Sequence, residues 1–139
     1  MTRLPVRKTY KLFVGGDFPR SESGRTYEAQ GQNVARGSRK DVRDAVRAAR
    51  GAFGKWRGMT AYNRGQVLYR IAEMMESRKE ELAELSSGRE EVESAVDRWV
   101  WYAGWADKYA QDLGTSNPVA APNFSFTSPE PTGVVGIVA

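Results

Sequence analysis

Residues 97–108 read DRWVWYAGWADK and hold three of the chain's four tryptophans, Trp99, Trp101 and Trp105, with Tyr102 between them. On a helix these rings divide between two faces. Val92, Ala95, Val96, Trp99, Ala103, Ala106, Ala110 and Leu113 recur at helical steps and form one apolar stripe. Trp101 and Trp105 are four residues apart, so they sit above each other on roughly the opposite face. A helix with large apolar groups on two faces belongs between two layers. The chain's other helices can cover one face. Exposure of Trp101 and Trp105 would mean that the cover for the second face is missing.

Working outward, Ser86-Ser87-Gly88 breaks the chain before this helix. Ser87 and Glu90 have capping-box spacing, and Gly114 is placed to be a left-handed C-terminal cap. The spacing therefore predicts one helix ending at Leu113. A second helix is predicted from Ala61 to about Leu85. Its inward face is Val67, Leu68, Ile71, Ala72 and Met75, extended by Leu82 and Leu85. Glu76, Lys79, Glu80 and Glu81 read as its solvated outer face. A first helix covers 38–56, with an N-cap pattern in Ser38 and Asp41 and a stripe of Val42, Ala45, Val46, Ala49, Ala52, Phe53 and Trp56. Thr60 is placed to cap the second helix.

The flanks read as β-structure. Residues 10–18, YKLFVGGDF, predict two short strands around Gly15-Gly16, since glycine accepts the positive φ of a tight turn. SESGR at 21–25 is a second turn, and 26–34 reads as a weak strand. After a proline-containing stretch at 117–122, NFSFT at 123–127 alternates as a half-buried strand does. GVVGIVA at 133–139 is a β-branched run suited to a strand buried on both faces.

Composition narrows the chemistry. Apolar residues are 40 % and charged residues 27 % of the 139, as in an ordinary folded domain. No apolar run reaches the roughly 20 residues of a membrane span. The basic start, MTRLPVRKTYKLF, lacks the continuous apolar segment of a secretory signal, so the expected compartment is cytoplasmic. With no cysteine and no histidine, disulfides, thiol nucleophiles and the commonest metal ligands are excluded. Residues 1–70 carry 16 Lys and Arg against 5 Asp and Glu, whereas residues 71–139 carry 5 against 12. A nucleic-acid surface on the basic half is ranked last, because its arginines are dispersed and few aromatics lie among them. Asp97 with Asp107, or Glu90, Glu91 and Glu93, read as surface ion pairs and caps, not as acid–base pairs.

The segment EPTGVVGIVA at 130–139 resembles the aldehyde dehydrogenase superfamily. The resemblance runs backwards through the chain in order. KLFVGGDF and SESGRTYE are similar to the family's N-terminal hairpin, DVRDAVRAARGAFGKW to its first helix, AYNRGQVLYRIAEMMESRKEEL to its second and EVESAVDRWVWYAGWADK to its third. Two departures stand out. The usual Asn-Pro-Ala-Thr-Gly loop is replaced by Gln30-Gly31-Gln32-Asn33-Val34-Ala35-Arg36, and the connection at 85–89 is short.

The resemblance implies an α/β architecture. A β-hairpin region (1–36) and three helices (37–114) lead to an oligomerisation-type strand (123–128), with an ordinary edge strand as the alternative. The first core strand (133–139) of a Rossmann-like dinucleotide-binding domain follows, and the fold is left incomplete. It implies NAD(P)-dependent oxidation of an aldehyde to a carboxylic acid. In the family a cysteine attacks the aldehyde, a glutamate activates water and an asparagine helps form the oxyanion hole. All three fall beyond the matching residues, so this chain alone is expected to be inactive. Only Val138 matches a position that touches the nucleotide, and no catalytic or metal-binding residue is carried over. NAD or NADP is the implied cofactor, not bound by this chain alone. The implied partner is another copy or the remainder of the dehydrogenase. The alternative is a non-catalytic assembly protein that pairs with itself or with a full-length dehydrogenase.

Overall fold

The computed structural model describes Leu4 and residues 7–138. Residues 1–3, 5 and 6 of the expected hairpin region, and Ala139 at the end of the expected core strand, lie outside the described residues. The chain forms two compact units, one of residues 1–55 and 132–139 and one of residues 56–131.

The first unit holds a three-stranded sheet in the order β1-β3-β2, with β1 (Thr9–Tyr10), β2 (Thr26–Ala29) and β3 (Gln32–Ala35). β2 and β3 form an antiparallel hairpin with Glu28 opposite Asn33, and β1 adds in parallel to β3. The reading of 26–34 as one strand missed this hairpin. Its two-residue turn is Gln30-Gly31, both at positive φ, and the residue pair is not among the strongest turn signals. The Gly15-Gly16 turn forms as expected, but the two short strands expected around it reduce to a single bridge between Val14 and Asp17. Helix α1 (Arg39–Gly58) begins with the predicted cap. Ser38 N–H donates to Asp41 Oδ2 at 2.7 Å and Asp41 N–H to Ser38 Oγ at 3.3 Å. Much of its apolar stripe is uncovered, with Val42 63 % exposed.

In the second unit α2 (Ala61–Ser77) starts on the expected Thr60 cap, where Asn63 N–H donates to Thr60 Oγ1. The single helix expected to Leu85 divides at Arg78 into α2 and α3 (Lys79–Leu85). The Ser77 hydroxyl takes the Met74 carbonyl at 2.9 Å, competing with the helical ladder. Lys79 also leaves the predicted solvated face. Its side chain is only 15 % exposed and reaches Glu76 at 2.6 Å and Glu93 of the facing helix at 3.4 Å. Leu85, expected to extend the apolar stripe, is exposed.

The tryptophan helix is also divided, into α4 (Arg89–Trp105) and α5 (Tyr109–Leu113). Ala106 and Lys108 make tighter bonds to carbonyls three residues back, and the Lys108 ammonium takes the Gly104 carbonyl at 2.6 Å. The predicted capping box is replaced: Gly88 is the N-cap, and Glu91 accepts from Ser87 N–H at 2.8 Å. Gly114 is extended, not left-handed. Glycine is required there for space, because a Cβ would lie 2.3 Å from the Ala110 carbonyl oxygen.

α2 packs on α4, and the buried apolar side chains among the described residues are Ala72 and Val92. β4 (Thr115–Asn117) follows Gly114 directly and pairs antiparallel with β5 (Ser125–Thr127), leaving Phe124 and Phe126 exposed with ring centroids 5.6 Å apart. Residues 133–138 make no strand pairing, and Val134, Val135, Ile137 and Val138 are exposed. A β-branched run needs a neighbouring strand to become one, and none of the described strands supplies it. No helix of the described residues is long and apolar enough to cross a membrane.

Candidate functional site: an open aromatic groove

The two-faced reading of 92–113 accounts for the surface of α4. Val92 is buried, and Ala95, Val96, Trp99, Ala103 and Ala106 are half-buried on the first stripe. Ala110 and Leu113, its expected continuation, lie on α5 and are exposed. On the second face Trp101 is 57 % exposed and Trp105 half-buried. Their rings are 5.5 Å apart and tilted by 46°, and Tyr102 meets Trp101 edge-on at 4.9 Å. These contacts are of the kind that stabilise aromatic pairs beyond their area. They still leave the Trp101 face without a covering layer.

Together these rings line a groove of about 680 Å³ within the second unit. Trp56 from the end of α1, Arg64 and Leu68 from α2, and Tyr109 and Leu113 from α5 also line it. So do Trp99 and Ala106 of the first stripe, so the two predicted faces meet at this groove. Arg64 and Leu68 are four apart and therefore share a face. That spacing was visible in the sequence, although the reading left Arg64 out. The Arg64 guanidinium is engaged, donating to the Met59 carbonyl at 2.5 Å. It closes the turn after α1. Asp112 is the acidic group at the groove, and it is exposed. The arrangement supports apolar and stacking contact. It holds no nucleophile activated by a base.

Two of the α4 carboxylates, Glu91 and Glu93, have their charged form favoured. Ser87 N–H keeps the Glu91 carboxyl below its ordinary value, and Arg89 followed by Lys79 does the same for Glu93. A general acid needs the opposite shift. Glu90, Asp97 and Asp107 are exposed. Val138 is fully exposed in the irregular segment after Gly133. The described residues contain no group of three His, Cys, Asp or Glu placed to hold a metal.

Against known proteins, the model of the aldehyde dehydrogenase family matches residues 25–139. This chain belongs to the aldehyde dehydrogenase family. It is 35 % identical, over an alignment 150 positions long, to DhaS of Bacillus subtilis (strain 168), a protein named as an aldehyde dehydrogenase, covering 94 % of this chain and 30 % of DhaS. It is also 35 % identical, over an alignment 161 positions long, to the cytosolic 10-formyltetrahydrofolate dehydrogenase of Homo sapiens, covering 99 % of this chain and 18 % of that protein. The crystal structure of an NAD-dependent aldehyde dehydrogenase from Sinorhizobium meliloti superposes with a TM-score of 0.69 at 28 % identity, over 81 % of this chain and 26 % of that one. The helices and small sheets described above thus match the N-terminal part of the aldehyde dehydrogenase fold, and the chain spans under a third of the length of these relatives.

Proposed function

We propose that this chain supplies the N-terminal segment of an NAD- or NADP-dependent aldehyde dehydrogenase oxidising aldehydes to carboxylic acids, and has no turnover by itself. The family match over residues 25–139, in a sequence without cysteine, carries this reading. The family's thiol chemistry needs a cysteine thiolate that these residues do not provide. Most of the cofactor site, the general base and the oxyanion asparagine would likewise come from outside the matched residues. The test is an assay of the purified chain with aldehyde and NAD or NADP, following the reduced nicotinamide. No turnover is expected, and measurable turnover would sink the reading. Intact mass of the native polypeptide is the companion measurement: one chain several times heavier than 15.5 kDa agrees with the proposal.

The exposed Trp101 face favours a second reading, a non-catalytic assembly role in the cytoplasm. The groove, the unpaired run at 133–138 and β5 would join another copy or a full-length dehydrogenase. Size exclusion with light scattering decides it, and a stable dilute monomer that binds no dehydrogenase would count against it.

A further inference from the structure

The first unit contains a second recess, of about 360 Å³, between the sheet and the turn that follows Arg20. Lys11, Arg20 and Arg25 line it together with the hydroxyl-bearing Thr9, Ser21 and Thr26, and its lining contains no carboxylate. Nor do nearby acids neutralise those cations. Glu22 pairs with Lys40, Glu28 with Arg7, and Asp44 with Arg43 and Arg47. Asp41 is occupied by the N–H groups of Ser38 and Glu22 and by the Ser21 hydroxyl. Among the described residues, Lys11, Arg20 and Arg25 have no ion-pair partner.

The turn is also fixed in advance. Ser21 is 5 % exposed, and its Oγ lies 2.7 Å from the Arg36 carbonyl oxygen and 2.8 Å from Asp41 Oδ2. Gly24 N–H donates to the Ser21 carbonyl at 2.9 Å, and Arg36 N–H to the Arg25 carbonyl at 2.8 Å. The backbone carrying both arginines is therefore held before any ligand arrives, which lowers the ordering cost of binding.

We propose that this recess binds a small phosphate-bearing molecule through Lys11, Arg20 and Arg25. Arginine's planar fork matches phosphate oxygens, and lysine adds a point charge. The volume lies in the range of small-molecule sites and exceeds what a single phosphate fills, so a diphosphate or a phosphate ester fits best. This site is independent of the dehydrogenase reading.

Calorimetric titration of the full chain with inorganic pyrophosphate tests it. One saturable site is expected. Arg20→Gln and Arg25→Gln should each weaken binding by about tenfold or more. The double variant Arg50→Gln/Lys55→Gln removes charge from α1 outside the recess and should change affinity by less than about twofold, since exposed charges at a distance are screened. Circular dichroism checks the fold of each variant. If Arg25→Gln perturbs it, Arg25→Lys, which keeps the charge but not the fork, replaces it with the same direction of effect. Absence of pyrophosphate binding, or equal loss in the α1 double variant, would overturn the proposal. A random single-stranded oligonucleotide is the second arm. Much tighter binding to it, unaffected by Arg20→Gln and Arg25→Gln, would assign the charge to a nucleic-acid surface and likewise overturn it.

Discussion

A Cβ added to Gly65 of α2 would lie 3.0 Å from the carbonyl oxygen of Ala103 on α4 and 3.4 Å from the Ala106 methyl. The neighbour is backbone, which cannot swing aside as a long side chain can. Glycine here allows the two helices to approach. A large side chain at Gly65 must push α4 away from α2 and loosen the packing that buries Ala72 of α2 and Val92 of α4. Gly65→Leu is expected to lose about 3 kcal/mol, the upper part of the overpacking range. Gly51 in α1 is the contrast, since nothing lies within 4 Å of an added Cβ. Gly51→Ala should gain up to about 1 kcal/mol from helix propensity alone. Urea unfolding followed by circular dichroism measures both.

The uncovered Trp101 face predicts an asymmetry between two apolar residues of one helix. Val92 is 4 % exposed and Trp101 57 %. Val92→Ala should lose about 2 kcal/mol through the cavity it leaves, whereas Trp101→Ala should change stability by less than about 1 kcal/mol. Iodide should quench the wild type strongly and Trp101→Phe less. If Trp101→Ala costs as much as Val92→Ala, the groove is covered in solution.

Periodicity located these elements well where a side chain's own helix decided the outcome. Ser38 with Asp41, Thr60 and the Gly15-Gly16 turn formed as read, because caps and tight turns are settled within a few residues. The breaks at Arg78 and after Trp105 were not legible. They depend on the Ser77 hydroxyl and the Lys108 ammonium bonding to backbone carbonyls, interactions that apolar spacing does not report. Lys79 was assigned to solvent because its partner Glu93 stands on another helix. The aromatic groove was half legible: Trp101 and Trp105 were singled out, but Trp56 and Tyr109 arrive through tertiary packing and through the α4–α5 break. The unpaired 133–138 run shows the same limit. Its composition favours a strand, while pairing requires a neighbour.

Asp41 should make stability fall in acid. Its carboxyl is lowered from 3.8 to about 2, chiefly by Glu22 N–H, then by Ser38 and with help from Ser21. A depressed folded value stabilises above the unfolded value and is lost as pH falls through the folded one. The contribution is therefore complete above about pH 4 and disappears towards about pH 2. Asp41→Asn should lower the thermal midpoint by about 5 °C at neutral pH and flatten the pH dependence between those limits. Thermal melts at stepped pH check both. An unchanged acid limb in Asp41→Asn would remove the assignment.

Lys79 is the link between the α2–α3 break and α4, and its stem and charge should separate experimentally. The ammonium pairs with Glu76 and Glu93, and Arg89 joins Glu93 at 3.0 Å and Glu80 at 2.9 Å. Glu76 first, then Glu93, raise the Lys79 pKa above 10.5. A raised lysine stabilises fully below its unfolded value and loses that contribution as pH rises through the folded one. Lys79→Ala removes both stem and charge, whereas Lys79→Met retains the apolar stem. The expected order of lost thermal midpoint is Lys79→Ala at about 5 °C, then Lys79→Met, then Arg78→Ala at under about 2 °C. Arg78 and Glu81 are both 57 % exposed, so their pair is screened by solvent. Melts of Lys79→Ala, Glu93→Ala and the double variant complete a cycle, with coupling expected between the two sites. Additive single effects would show that Lys79 acts through packing and not through Glu93.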